Sequence, residues 1–143
     1  MNPRPRILFL CTGNSCRSQM AEGWARTLRA EQMEAFSAGV APGRLDTRAA
    51  QVMAEVGVDI SAQRSKHVDE LADVDFDWVV TVCGHAHETC PVFPGPTRIV
   101  HHGFEDPPAL AGQGAAETDI MQVYRRVRDE IRAFVETLPE SLE

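Results

Sequence analysis

A chain of 143 residues, 43% hydrophobic and 24% charged, is long enough to bury a core without covalent staples, and a single soluble domain over residues 1–143 is expected. Its formal charge of −7 argues against nucleic acid and anionic membrane as partners, and no apolar window approaches transmembrane length. The apolar stretch after the basic start is too short for a signal peptide, so the cytoplasm is the expected compartment; there, four cysteines suggest catalysis, redox exchange or metal before structural disulfides.

Arg6–Leu10 reads as a first, buried strand, and it runs into Cys11-Thr-Gly-Asn-Ser-Cys-Arg17-Ser18. From Ser18 to Arg29, Met20, Trp24 and Leu28 recur at helical spacing on a core-facing stripe. Ala35–Ala38 is a short strand closed by Gly39, and 41–44 is a turn. Asp46 or Thr47 caps a second helix with apolar positions Ala49, Val52, Met53 and Val56, stopped by Gly57. Ser65–Ala72 holds a brief helical turn. Asp77–Val82 is a near-continuous apolar run, as expected of a strand buried on both faces. Arg98–His101 is a weaker fourth strand, and the Ala- and Gly-rich stretch Ala109–Ala116 reads as a mobile connection. Ile120, Val123, Val127, Ile131, Phe134 and Leu138 mark a long final helix. Strands alternating with helices imply a three-layer α/β fold: a four-stranded parallel sheet flanked by helices. Ligands of such sheets sit at the carboxyl ends of strands, where Cys11 and Cys83 both fall.

The strand–loop–helix order around Cys11 builds a cradle for a tetrahedral oxyanion. Loop N–H groups of Thr12, Gly13, Asn14, Ser15 and Cys16 and the helix start at Arg17 and Ser18 favour negative charge at one spot. Gly13 and Asn14 tolerate the backbone angles such a loop needs, and Arg17 adds a planar fork of donors. The same field is expected to hold Cys11 as a thiolate. Ser18 is placed to donate to that sulfur or to cap the helix, and Cys16 reads as local packing. Asp106, on a loop stiffened by Pro107 and Pro108, is expected to reach over the cradle as a proton donor or acceptor, in preference to Glu105. His101 and His102 read as polar strand-end residues.

Cys83 and Cys90 admit three readings. They are inert thiols, or they join His85 and His87 as zinc ligands, or they form a redox pair with Cys11. The polar, turn-rich setting of Cys90 speaks against the first, and the unfamiliar ligand spacing speaks against the second.

Together Cys11–Trp24, Ser37–Gly39, Asp59–Ser61, Val79–Cys83, Cys90-Pro91 and Arg126–Ile131 resemble the thioredoxin-coupled arsenate reductases, which share the low-molecular-weight protein tyrosine phosphatase fold. The resemblance covers nearly the whole chain. It implies that Cys11, Cys83 and Cys90 act as a thiol relay with Arg17 and Asp106, and that residues 12–18 bind arsenate. It further implies thioredoxin as reductant (glutaredoxin with glutathione being the other donor), no cofactor, no resident metal and a monomer. Two departures stand out. Some relatives hold a potassium ion through residues matching Asn14, Glu22 and Ser37 plus an acid, and here Lys66 stands at the acid's position, so potassium independence is expected. The 109–116 stretch is also longer than the family pattern. A tyrosine phosphatase would use the same Cys11, Arg17 and Asp106, but its loop acid is usually followed by an aromatic residue, where this chain has Pro107 and Pro108. A zinc-binding or oxyanion-sensing module is the non-enzymatic rival.

Overall fold

The computed structural model describes residues 4–93, 95–111 and 114–143, in the order β1 (Arg6–Cys11), α1 (Arg17–Leu28), β2 (Glu34–Gly39), α2 (Thr47–Glu55), β3 (Trp78–Thr81), α3 (Gly84–Glu88), β4 (Arg98–His101), α4 (Pro107–Ala111) and α5 (Glu117–Val135). Single 3₁₀ turns cover Val68–Leu71 and Glu140–Leu142. The strands form one parallel sheet in the order β2-β1-β3-β4. Helices flank it, as expected from the alternation of elements.

β1 is central because its side chains suit both faces of a covered sheet. Ile7, Leu8, Phe9 and Leu10 have no solvent exposure. Each such burial contributes roughly 1.5–3 kcal/mol of transfer free energy. Val79 and Val80 of β3 are equally buried, whereas β4, at the edge, is largely exposed. α1 packs on β1 and β2, and α5 lies across α1, α2 and α4. Gly23 allows part of this packing, since a Cβ there would come within 2.5 Å of the Ile60 side chain. Among the described residues no helix is long and apolar enough to cross a membrane.

Most boundaries fall where the residue pattern puts them. Asp46 is the α2 cap, with its carboxylate accepting from Arg48 N at 2.8 Å and Ala49 N at 3.4 Å, and Gly57 ends the helix at φ 83°. Two segments differ. Residues 84–88, to which the residue pattern assigns no element, form the short helix α3, capped by the Cys83 sulfur accepting from Ala86 N at 3.4 Å. The start of the expected mobile connection is helical through Ala111 as α4, where Ala109 N donates to the Asp106 carbonyl; residues 112 and 113 of that stretch lie outside the described residues.

Candidate active site

β1 ends at Cys11 in the middle of the sheet, and the chain turns through 12–16 into α1. Asn14 takes a left-handed conformation at φ 48°, which asparagine tolerates better than most residues. The loop lies flat on the end of β2. A Cβ on Gly39 would sit 2.5 Å from the Thr12 carbonyl oxygen and 3.0 Å from Asn14 N, so the close approach requires glycine.

Every carbonyl from Cys11 to Cys16 is tied to the outside of the loop. Cys11 O accepts from Val40 N (3.2 Å), Thr12 O from Ala41 N, Gly13 O from Gly43 N, Ser15 O from Asp46 N and Cys16 O from Met20 N, the last four at 2.9 Å. Asn14 O accepts from Gln19 Nε2 at 2.9 Å and from the Ser65 hydroxyl. In a trans peptide the C=O and the next N–H point in opposite directions. Outward carbonyls therefore aim the following amides into the concavity, where they form an anion-binding nest.

That concavity is a cavity of about 630 Å³ lined by Cys11, Thr12, Gly13, Ser15, Cys16, Arg17, Cys83, Gly84, His85, Asp106 and Pro108. Arg17 donates through Nη1 to the Phe104 carbonyl at 3.0 Å and approaches Asp106 Oδ1 through Nη2 at 3.5 Å. Its Nε is buried with no hydrogen-bond partner among the described residues, an orphan donor on a side chain that lines the cavity. The loop bearing Asp106 is fastened from outside: His102 stacks on Phe134 with ring centroids 4.0 Å apart, and Glu105 pairs with Arg126 at 2.9 Å. Asp106 is thereby the acid that faces the cavity, and Glu105 is a surface ion-pair partner.

Not every residue expected in the cradle lines it. Asn14 and Ser18 have no solvent exposure and brace the loop from behind, the Asn14 amide donating to the Ser18 hydroxyl at 2.8 Å. The α1 N-cap is Cys16, without a side-chain cap bond, so Ser18 does not cap the helix. Cys16 lines the cavity but is chemically muted, because burial first and Asp46 next push its thiol up.

Cys83, two residues past the end of β3, accepts from Ala86 N and lies 3.2 Å from the Thr12 hydroxyl. Cys11 and Cys83 line the same cavity, and their charges are coupled. The interaction with Cys83 and then burial push the Cys11 thiol up, against a downward pull from Arg17. The interaction with Cys11, and then the hydrogen bonds from Thr12 and Ala86, pull Cys83 down against its burial. Thr12 and Ala86 give Cys83 donors of its own, so the loop field that favours a Cys11 thiolate acts beside a second sulfur with separate support. The Thr12 hydroxyl carries no signal of this role in the residue pattern.

Cys90 is half-buried and lies outside the cavity, beyond α3. Among the described residues no group of three His, Cys, Asp or Glu side chains is placed to hold a metal ion; the His87 side chain lies outside that description. Glu22, whose potassium-binding counterpart the resemblance singled out, is buried and already compensated. It accepts from the Ser37 hydroxyl at 2.5 Å, pairs with Arg26 at 2.9 Å and faces the Lys66 ammonium at 4.0 Å. Asn14 Oδ1 is taken by Lys66 N at 3.1 Å. Three positive or donating partners around one carboxylate do not fit a bound cation as well.

The family model described as low molecular weight phosphotyrosine protein phosphatase matches residues 6–143. An arsenate reductase of Halalkalibacterium halodurans is 43% identical over 135 residues, covering 94% of this chain and 95% of that one. An arsenate reductase of Bacillus subtilis is 44% identical over 135 residues, covering 92% and 95%. Among solved structures, an arsenate reductase in a phosphate-binding state superposes with a TM-score of 0.73 at 35% identity, covering 97% of this chain and 99% of that one.

Proposed function

The chain belongs to the low molecular weight phosphotyrosine protein phosphatase family, and we propose that within it the protein reduces arsenate to arsenite and is regenerated by thioredoxin. The observation that carries this reading is the second sulfur. Cys83 lines the oxyanion cavity together with Cys11, where phosphoryl transfer has no use for it.

Arsenate is received by the inward amides of residues 12–17 and by Arg17, whose unpartnered Nε supplies a donor. For attack, Cys11 passes its proton to Cys83. The Cys11 thiolate then bonds to As(V), and Asp106 delivers the proton with which an arsenate oxygen leaves as water. Cys83 gives its proton to an oxygen of the arsenic adduct and, as a thiolate, attacks the Cys11 sulfur. The S–As bond breaks, its electron pair stays with arsenic, and arsenite departs as As(III) from a Cys11–Cys83 disulfide. Cys90 then attacks Cys83, the Cys11 thiolate leaves, and the disulfide moves to Cys83–Cys90. Two thiols have been oxidised and one arsenic reduced.

The last exchange has a structural cost. Bridged Cα atoms lie within roughly 7 Å, whereas the five residues of α3 alone put about 7.5 Å of helical rise between the two cysteines, with Thr89 still to cross. α3 stands between Cys83 and Cys90, so it must unwind. Its Gly-His-Ala-His-Glu sequence has low helix propensity and only five residues, which makes the opening inexpensive. The disulfide so exposed suits thioredoxin, whose potential of about −270 mV makes it a competent reductant. Thiols kept reduced between turnovers fit a cytoplasmic setting.

The test is arsenate-dependent NADPH oxidation with thioredoxin and thioredoxin reductase. Cys11→Ser and Cys83→Ser are expected to abolish turnover, while Cys16→Ser keeps most of it. Phosphatase turnover of an aryl phosphate without any arsenate-dependent NADPH oxidation would instead assign the site to phosphate ester hydrolysis through Asp106 and Arg17.

Lys66 leads to a further expectation. Burial holds its pKa below the ordinary lysine value, against an upward pull from Glu22, and the ammonium still faces that carboxylate. Exchanging potassium for sodium or choline chloride at fixed ionic strength is therefore expected to leave kcat/KM unchanged, with Lys66→Ala creating a potassium response. A strong potassium stimulation of the unmodified protein would contradict this.

A further inference from the structure

We infer that Tyr124 and Asp46, far from the cavity in sequence and absent from its lining, are positioning residues for the oxyanion loop. The inference rests on the reading of residues 11–17 as the oxyanion site.

The segment 40–46 runs as a strap around the loop and holds four of its carbonyls with backbone N–H groups, those of Val40, Ala41, Gly43 and Asp46. The first three bonds follow directly from β2, whose register pairs Cys11 with Gly39. The fourth is different. Asp46 sits at the far end of an exposed turn, and its bond from N to Ser15 O is what turns the Cys16 amide into the cradle. Something must keep Asp46 in place, and three bonds to its carboxylate do so. Oδ1 accepts from Arg48 N and Ala49 N at the start of α2, and Oδ2 accepts from the Tyr124 hydroxyl at 2.6 Å.

Tyr124 is a fixed anchor. It is 1% exposed, and α5 holds it in the core between Ile120 and Val127. The chain of contacts therefore runs from α5 through a phenol and a carboxylate to a single loop carbonyl. Every member is buried or half-buried, and each acceptor is charged or backbone. Losing the phenol removes the α5 anchor from the Asp46 carboxylate, which among the described residues is then held by the α2 end and is freer to shift the Ser15–Cys16 peptide. The loop amides bind substrate and transition state alike, so the loss falls on KM more than on kcat.

The control is a contact between the same two helices that does not touch the strap. Arg125 of α5 makes a bidentate pair with Glu55 of α2, at 2.9 and 2.7 Å. Arg125→Gln therefore weakens the α2–α5 packing without touching Asp46.

Inorganic phosphate binding is measured by titration calorimetry on the reduced protein, beside KM and kcat for arsenate and the thermal midpoint. Tyr124→Phe is expected to weaken phosphate binding and to raise KM at least about fivefold, the scale of one ordinary hydrogen bond, with kcat nearly kept. Asp46→Ala should do the same or more. Asp46→Asn, whose amide still caps α2 and meets the phenol, should rescue most of the affinity. Arg125→Gln should lower the midpoint and leave phosphate affinity alone. If Tyr124→Phe and Arg125→Gln both lower the midpoint and neither moves phosphate affinity, Tyr124 is packing only and the inference fails. If phosphate does not bind the unmodified protein, the oxyanion reading itself fails and takes this inference with it.

Discussion

Replacing Cys90 with serine is expected to leave a protein that reduces arsenate once and then stops. Cys11, Cys83, Arg17 and Asp106 all remain around the cavity, so the chemical step on arsenic is intact. Arsenite should appear in a burst equal to the protein concentration. The protein should then hold a Cys11–Cys83 disulfide that thioredoxin reaches poorly, because both sulfurs are buried, at 3% and 5% residue exposure. Steady-state NADPH oxidation should fall to background while the burst survives. Normal steady-state turnover by Cys90→Ser would mean that thioredoxin attacks the buried disulfide directly and that α3 has no need to open.

Arg17→Lys is expected to lower kcat/KM for arsenate by roughly 100- to 1000-fold, the range for loss of a preorganised donor to a developing oxyanion. Charge alone does not replace a guanidinium here. One nitrogen of Arg17 holds the Phe104 carbonyl, another faces Asp106, and Nε has no partner among the described residues. A lysine ammonium is one point donor and cannot serve all three positions. The variant should thus lose both the substrate contact and the tether on the acid loop. Urea midpoints close to the unmodified protein would show that the loss is in the site and not in folding. Activity within a few-fold of the unmodified protein would contradict this division of labour.

The parts legible in the residues are those whose signal is local. Ile7–Leu10 followed by Cys11–Ser18 carries strand, turn and helix start within a dozen positions, and the structure has that order. Asp46 and Gly57 announce the ends of α2 through capping chemistry that depends on near neighbours only. What was not legible depends on distant partners. α3 has weak propensity, and its cap is a cysteine sulfur, which no ordinary capping rule anticipates. The strap over residues 40–46 works through backbone N–H groups, so its side chains carry no trace of the task. The support given to Cys83 was hidden for the same reason. The loop and Arg17 favour a Cys11 thiolate, and Thr12 and Ala86 bond to a second sulfur 72 residues further along. Asn14 and Ser18 look like anion ligands within the motif, and their buried side chains instead support the loop from behind.

The most direct test of the relay is a count of thiols after a stoichiometric dose of arsenate, in the absence of thioredoxin. The fully reduced protein is mixed with one equivalent, quenched in acid, alkylated and digested. The account predicts that two of the four cysteines lose reactivity, that one equivalent of arsenite is released, and that the disulfide is found between the Cys83 and Cys90 peptides with Cys11 alkylated. Four reactive thiols with arsenate unchanged, or a disulfide that includes Cys16, would contradict it.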